Sequence, residues 1–421
     1  MLNKLKPKSE FSKNVLTLMT GTTIAQAIPI AISPILTRLY TPEDFGLFAL
    51  FVAITSIFAS IANGRYEFAI MVPQKEDDAI NIFALGFIIN LTLSFTLFIF
   101  ILLFHDYFVG LLNNPAIGIW LYFIPLAVFL IGLFNILNYF NNRKKHYRVL
   151  ANTSIIKAIV LAILQLSIGF VHSGVSGLIS GQLLSQAVGN AKLLKNLLKD
   201  KLFMLKISKE RMKSLALQYK DFPKFQAPHA FIHTISSNMP VYLFNAFFGA
   251  TTVGFYSLSL RIIFSPFMIL SGASAQVYNQ KLSEVYNENG DSYGLTVSLL
   301  FSLLKKIIVP FLIIIIYAPA IFAFIFGEVW REAGVYTQIL SLYLLLNILV
   351  STISFIPSLI NQQKKAFIVG LVLMGLSIGS ISVGAFYDSI YLSLSLFSIS
   401  NSIILIYNAF WMINALKGSS H

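Results

Sequence analysis

Gly64-Arg65-Tyr66-Glu67 sets a guanidinium, a phenol and a carboxylate side by side, followed by Phe68-Ala69-Ile70-Met71-Val72 and then Pro73. Apolar residues on both sides put Arg65 and Glu67 at membrane depth, where an ionisable group faces a cavity or a partner because exposure to lipid costs several kcal/mol. Anion binding or gating is the chemistry open to this group; the plainer reading is a cluster that snorkels to the inner interface. If the stretch is helical, positions i and i+2 lie on different faces, so Arg65 and Glu67 each need a separate partner. Arg261 stands about seven residues into a later apolar run, roughly 10 Å deep at the helical rise, and is costly there unless it lines water or binds an anion. Arg38 at the end of the first run and Lys157 near the start of the fifth are further candidate cavity cations, each also able to snorkel. Pro29 and Pro34 remove backbone donors inside the first run and should bend it, which suits alternating access, although proline is also tolerated in membrane helices with a packed neighbour.

Other side chains point elsewhere. His229 and His233 share a helix face at i, i+4, but without a nearby carboxylate they make a poor metal site. Gly177 to Gly181 and Gly375 to Gly379 have the spacing of close helix packing. Phosphate-cradling loops, nucleotide fingerprints and Ser/His/Asp arrangements are missing, so neither ATP hydrolysis nor a cofactor is expected, and the chain does not read as an enzyme. With no acidic residue at the centre of a span and arginines at depth, a central cavity should be electropositive, which favours an anionic substrate.

The elements that must hold these residues follow from composition. Of 421 residues, 57% are hydrophobic and only 11% charged, against about a quarter charged in soluble domains, which excludes an ordinary soluble enzyme. The net charge of +13 suits anionic lipid or an anionic substrate better than nucleic acid, because long apolar runs rather than basic aromatic stripes fill the chain. Cysteine is absent, which removes disulfides and thiolate chemistry. A bilayer core needs about 20 apolar residues per helix, and twelve runs qualify: 15–37, 46–72, 80–104, 117–140, 151–171, 174–194, 226–248, 254–276, 295–326, 334–360, 366–386 and 389–415. The run after Lys4, Lys6, Lys8 and Lys13 is too long for a signal peptide and reads as a retained first span.

With the N-terminus inside, every Lys and Arg except Arg38, Arg261 and Arg331 falls on the inner side, so both termini are expected in the cytoplasm. The outer loops are too short for an external catalytic domain. Expected domains are an N-terminal six-helix bundle (1–194), a basic cytoplasmic linker (195–224) and a C-terminal six-helix bundle (225–421). The run Lys-Leu-Leu-Lys-Asn-Leu-Leu-Lys at 192–199 is expected to lie on the inner leaflet as an interfacial helix. The segment 41–50 weakly echoes 249–258, each the first outer turn of its half. An even-span repeat has parallel halves, related by an axis along the membrane normal.

The segment 36–48, Leu-Thr-Arg-Leu-Tyr-Thr-Pro-Glu-Asp-Phe-Gly-Leu-Phe, together with Gly64-Arg65-Tyr66-Glu67-Phe68-Ala69-Ile70, Pro73 and Asp78-Ala79, resembles signatures of the bacterial polysaccharide transporter family, which includes O-antigen and capsule flippases. That resemblance implies an all-α integral membrane fold like that of multidrug and toxin extrusion transporters, with two parallel six-helix bundles around a central cavity. It also implies the substrate: an undecaprenyl-diphosphate-linked oligosaccharide, an O-antigen or capsule repeat unit in lipopolysaccharide or capsule synthesis, moved from the cytoplasmic to the periplasmic leaflet of the bacterial inner membrane. Arg65 is then the most direct substrate cation, Arg38 a substrate or gate residue, and Tyr66 and Glu67 belong to the same gating motif. Expected partners are the lipid-linked glycan, membrane lipids and the polysaccharide polymerase machinery. The competing expectation is a cation-coupled multidrug exporter on the same fold, which would need deep carboxylates where this sequence has arginines.

Overall fold

A computed structural model of the chain describes residues 10–172, 174–198, 203–288 and 290–417. The basic N-terminal residues Lys4, Lys6 and Lys8 lie outside the described residues, as does Lys199 at the end of the expected interfacial run. The described elements are helical throughout: α1 (Glu10–Ala31), α2 (Ser33–Leu39), α3 (Pro42–Ala59), α4 (Tyr66–Ala69), α5 (Glu76–Leu111), α6 (Gly118–Leu121), α7 (Ile124–Arg143), α8 (Tyr147–Val171), α9 (Ser176–Leu197), α10 (Lys209–Gln218), α11 (Ala227–Asn287), α12 (Ser292–Phe326), α13 (Arg331–Thr352), α14 (Ile356–Leu359), α15 (Gln363–Phe386) and α16 (Ile390–Ala415).

Ten helical stretches among the described residues are long and apolar enough to cross a membrane, so the chain is an all-α integral membrane protein. Two of the twelve expected segments are not separate members of that ten. The segment 174–194 coincides with α9, whose Gln182, Gln186, Asn190, Lys192 and Lys195 dilute its hydropathy. The segments 226–248 and 254–276 both fall in α11, which is two helices parted at Gly249 (φ 83°, ψ 175°). That glycine gives the echo between 41–50 and 249–258 a structural counterpart. α3 starts at a capping box in which the Thr41 hydroxyl accepts from the Asp44 backbone N–H and the Asp44 carboxylate accepts from Thr41, and the second helix of α11 starts after Gly249. The chain divides into two compact units, Met1–Asn238 and Met239–His421, the division falling within α11.

In the first unit α8 packs on α1 and α9, and α7 packs on α5 and α9. Small residues set these approaches. A methyl group added at Gly21 would lie 2.5 Å from Ala151 Cβ. Tyr40 fits a slot between Gly169 and Gly177, where an added Cβ would stand 2.7 and 2.0 Å from its hydroxyl, and that hydroxyl donates to the Gln165 carbonyl (2.6 Å). An added Cβ at Gly181 would meet Gln165 Cγ at 2.7 Å. In the second unit the same device joins α12 to α13 at Gly334 and α15 to α16 at Gly384, against Ala318 and Ser393. Gly375 and Gly379 make no such joint: among the described residues no atom lies within 4 Å of a Cβ added at either one. The spacing is the same as at Gly177 and Gly181, but on α15 these positions look away from the protein.

Two further expectations are corrected. The run 46–72 is not one helix; α3 ends at Ala59 and a turn separates it from the short α4. The segment 192–197 is the last part of α9, not an interfacial helix, and Leu193 and Leu197 are buried with Phe203, Leu215, Phe83 and Phe140. Leu193 and Leu197, four residues apart, form the row that faces protein.

Candidate functional site: the Arg65 turn

The turn after α3 is built from two consecutive left-handed residues, Gly64 (φ 59°) and Arg65 (φ 64°). A non-glycine residue in that region is uncommon and persists only when its surroundings hold it there. Three side chains do so. Asn63 Nδ2 donates to the Gly132 carbonyl of α7 (2.9 Å). Tyr66 Oη donates to the Ala216 carbonyl of α10 (3.0 Å). From the end of α7, Arg143 donates through Nη1 to the Ile70 carbonyl (3.0 Å) and through Nη2 to that of Pro73 (2.6 Å), satisfying carbonyls that no further helical turn would reach.

Arg65 and Glu67 meet within this frame: Nη1 stands 3.7 Å from Glu67 Oε1. The expectation of separate partners assumed a helix. Arg65 instead precedes α4 in a left-handed conformation, which removes the angular separation of i and i+2. Nη1 also donates to the Ser60 carbonyl (3.3 Å), and the guanidinium lies 4.3 Å from the centre of the Phe68 ring, itself packed on Tyr139 (4.8 Å). The Glu67 side chain is 6% exposed and that of Arg65 23%. Arg65 Nε and Glu67 Oε2 are buried without a hydrogen-bond partner among the described residues. A guanidinium stacked on a ring, fixed by a left-handed backbone and carrying a buried N–H with no hydrogen-bond partner among the described residues, has the chemistry of an oxyanion donor.

Depth follows from α7. Asn63 touches Gly132, eleven residues before Arg143 and so roughly 16 Å in from the end of α7, whereas Phe68 packs on Tyr139, roughly 6 Å in. Arg65 sits between these marks, more than one helical turn inside the bundle. Beyond α4, α10 closes the same end: Arg211 binds Asp78 through both Nε and Nη2 (2.6 and 2.8 Å), Asn81 bonds the Lys206 carbonyl and the Ser208 N–H, and Lys144 pairs with Glu76.

Within the first unit, Lys157, Arg38 and the prolines stand in other surroundings. Lys157 on α8 places Nζ 4.3 Å over the Phe134 ring of α7, beside Gly189, whose lack of a side chain leaves room for the lysine stem. Arg38 is exposed in the last turn of α2. Pro29 and Pro34 flank the break at Ile32 that separates α1 from α2, and Ser33, just before Pro34, donates its hydroxyl to the Pro29 carbonyl (2.7 Å). Arg261, in the second unit, is half-buried. It follows Gly249 by twelve residues, roughly 18 Å along the second helix of α11. His229 and His233 stack ring on ring at 6.3 Å. Sequence reasoning passed over Asn63, Tyr139 and Arg143. The Asn63-Gly64 pair was a turn signal, whereas nothing in the basic run at 143–148 singles out Arg143.

The model of a family described as polysaccharide biosynthesis protein matches residues 35–335. No curated protein matches the chain. Among solved structures, an inward-facing multidrug resistance MATE family transporter of the MOP superfamily superposes with a TM-score of 0.66 at 17% identity, covering 96% of each chain. A MOP superfamily transporter from Pyrococcus furiosus, described as having a binding pocket of reverse polarity that suggests a different function, gives 0.63 at 16% identity over 96% of each chain. A point mutant of the Vibrio cholerae MATE transporter VcmN gives 0.63 at 13% identity, again over 96% of each. The fold is therefore that of the MATE transporters.

Proposed function

The chain belongs to the polysaccharide biosynthesis protein family, and from that premise we propose that it is a flippase for undecaprenyl-diphosphate-linked oligosaccharide, an O-antigen or capsule repeat unit, moving it from the cytoplasmic to the periplasmic leaflet of a bacterial inner membrane. Both termini are cytoplasmic on this reading, and the lipid-linked glycan and membrane lipids are its partners. The polysaccharide polymerase machinery takes the product. The observation that carries it is the Arg65 turn: a guanidinium held inside the bundle, paired with Glu67 and left with an unspent Nε–H, within a chain of this family.

A diphosphate carries about two negative charges, and a guanidinium answers it with a bidentate fork. In the resting site Glu67 holds the cation; an arriving diphosphate takes the spare Nε–H and competes with the carboxylate, so the pair acts as a latch as well as a binding site. Arg261 is a further candidate substrate cation, while Arg38, Lys157 and the proline break at Ile32 serve binding and the alternation of access. Outward movement of an anion is downhill by about 2.3 kcal/mol per charge per 100 mV in a cell with a negative interior, so the membrane potential favours export. The lipid tail stays in the bilayer among the helices while the head group crosses.

Leaflet-resolved labelling of the lipid-linked oligosaccharide in cells with and without the protein tests the reading. Depletion should accumulate the glycan on the cytoplasmic leaflet. Arg65→Ala and Arg261→Ala should abolish surface polysaccharide with membrane insertion intact, and Arg→Lys should retain part of it. An unchanged distribution in a strain without a second transporter overturns the proposal and favours a multidrug exporter on the same fold.

A further inference from the structure

A groove of about 620 Å³ opens in the first unit beside the Arg65 turn, lined by residues of α3, α5 and the start of α11, with Ile61, Ile88, Ile89, Thr92, Thr96 and Phe231 among them. Its floor runs along one face of α5, because Ile88, Thr92, Thr96 and Phe100 recur at i, i+4, i+8 and i+12. That row spans roughly 18 Å at the helical rise. Its ends stand tall and uncovered, Ile88 at 47% exposure and Phe100 at 48%, and the shorter Thr92 and Thr96 leave a trough between them. The trough is long, narrow and almost wholly apolar, the shape of a hydrocarbon chain.

One end of the groove lies next to the turn that carries the cation. Ile61 and Ile89 line it, and Ile89 Cδ1 lies 3.4 Å from the place a side chain at Gly64 would occupy. Gly64 sets the Arg65 turn directly against the Ile89 side chain that lines the apolar trough. An amphiphile with an anionic head at Arg65 can thus lay its chain toward Phe100. The direction suits a lipid loaded from the end of the bundle that α10 closes, since its tail would point along α5 away from that end. We propose that this groove binds the polyprenyl chain of the lipid-linked substrate, proximal isoprene units against Ile61 and Ile89 and the chain running past Thr92 and Thr96. The inference rests on the flippase reading for its ligand and adds the place where the tail is held.

The test uses the full chain in lipid nanodiscs with a photoreactive undecaprenyl diphosphate as probe. Crosslinks should fall on α5 between Ile88 and Phe100, and excess unlabelled undecaprenyl diphosphate should reduce them at least tenfold while excess phosphatidylglycerol leaves them unchanged. Equal competition by phosphatidylglycerol makes the groove a site for bulk lipid and overturns the proposal, as does labelling spread evenly over the lipid-facing helices. A second arm compares glycans on long and short prenyl chains in proteoliposomes. Thr92→Trp with Thr96→Trp should slow translocation of the long-chain substrate at least tenfold and leave a short-chain analogue within twofold; equal loss for both rejects a tail site. Crosslinking that succeeds where wild-type protein moves neither glycan would remove the flippase reading and leave the lipid site standing.

Discussion

Glu67 decides what an alanine at Arg65 would mean. The carboxylate is almost fully buried beside the guanidinium, and removing one partner of a buried pair costs about 3–5 kcal/mol because the other charge is left alone. Arg65→Ala alone should therefore lower both the thermal midpoint and transport, which would not separate a ligand from a counter-ion. Adding Glu67→Gln removes the stranded charge. The double variant should regain most of the lost midpoint in detergent while transport stays at least about tenfold down, since one charge-assisted bond to a ligand is worth about 1.5–3 kcal/mol. Transport that returns along with stability would reduce Arg65 to a structural counter-ion. The sequence announced these two residues through their cost in an apolar run, yet it hid their pairing. Ser60-Ile61-Ala62-Asn63 continues the apolar pattern of α3, and only the left-handed backbone at Gly64 and Arg65 brings the side chains together.

Among the helices, the two glycine pairs separate what spacing predicts from what packing uses. Gly177 and Gly181 face Tyr40 and Gln165 at distances no Cβ tolerates, whereas Gly375 and Gly379 face open space. Gly177→Ala should force α9 away from Tyr40, disturb its bond to Gln165, and lower stability by about 1–3 kcal/mol as an overpacked contact does. Gly375→Ala should leave the thermal midpoint unchanged or raise it slightly, because alanine is the better helix former by about 1 kcal/mol. Equal losses at both sites would mean that α15 has a close neighbour after all. Spacing alone could not rank these pairs, since which face of a helix meets protein is settled by the partner helix. The same holds for α10: Arg211 reads as one more inner-side cation, but its fork onto Asp78 is a docking contact. Asp78→Ala should release α10, seen as faster tryptic cleavage at Lys209, Arg211 and Lys213 in otherwise folded protein. Unchanged cleavage would show that buried Leu215 and the Tyr66 and Asn81 bonds hold the helix without it.

At the scale of the whole chain, long apolar runs made the helices legible, while the two segments that hydropathy ranks least clearly, α9 and the second helix of α11, decide the parity of every loop after them. Parity in turn fixes which face carries the basic residues of each loop. The absence of cysteine allows single cysteines to be placed in an unmodified background. Leu111→Cys and Val329→Cys stand at exposed helix ends, 63% and 68% accessible, and Lys213→Cys is exposed on α10. If α9 crosses the membrane, α7, α8 and α9 separate position 111 from position 213, and an impermeant maleimide should label 111 in intact spheroplasts but reach 213 only after permeabilisation. If α11 crosses twice, position 329 should label with 111. Labels at 111 and 213 on the same face would mean that α9 does not cross. A label at 329 matching 213 instead of 111 would mean that α11 crosses once, and the C-terminal half would then be inverted, which a parallel repeat of six spans forbids.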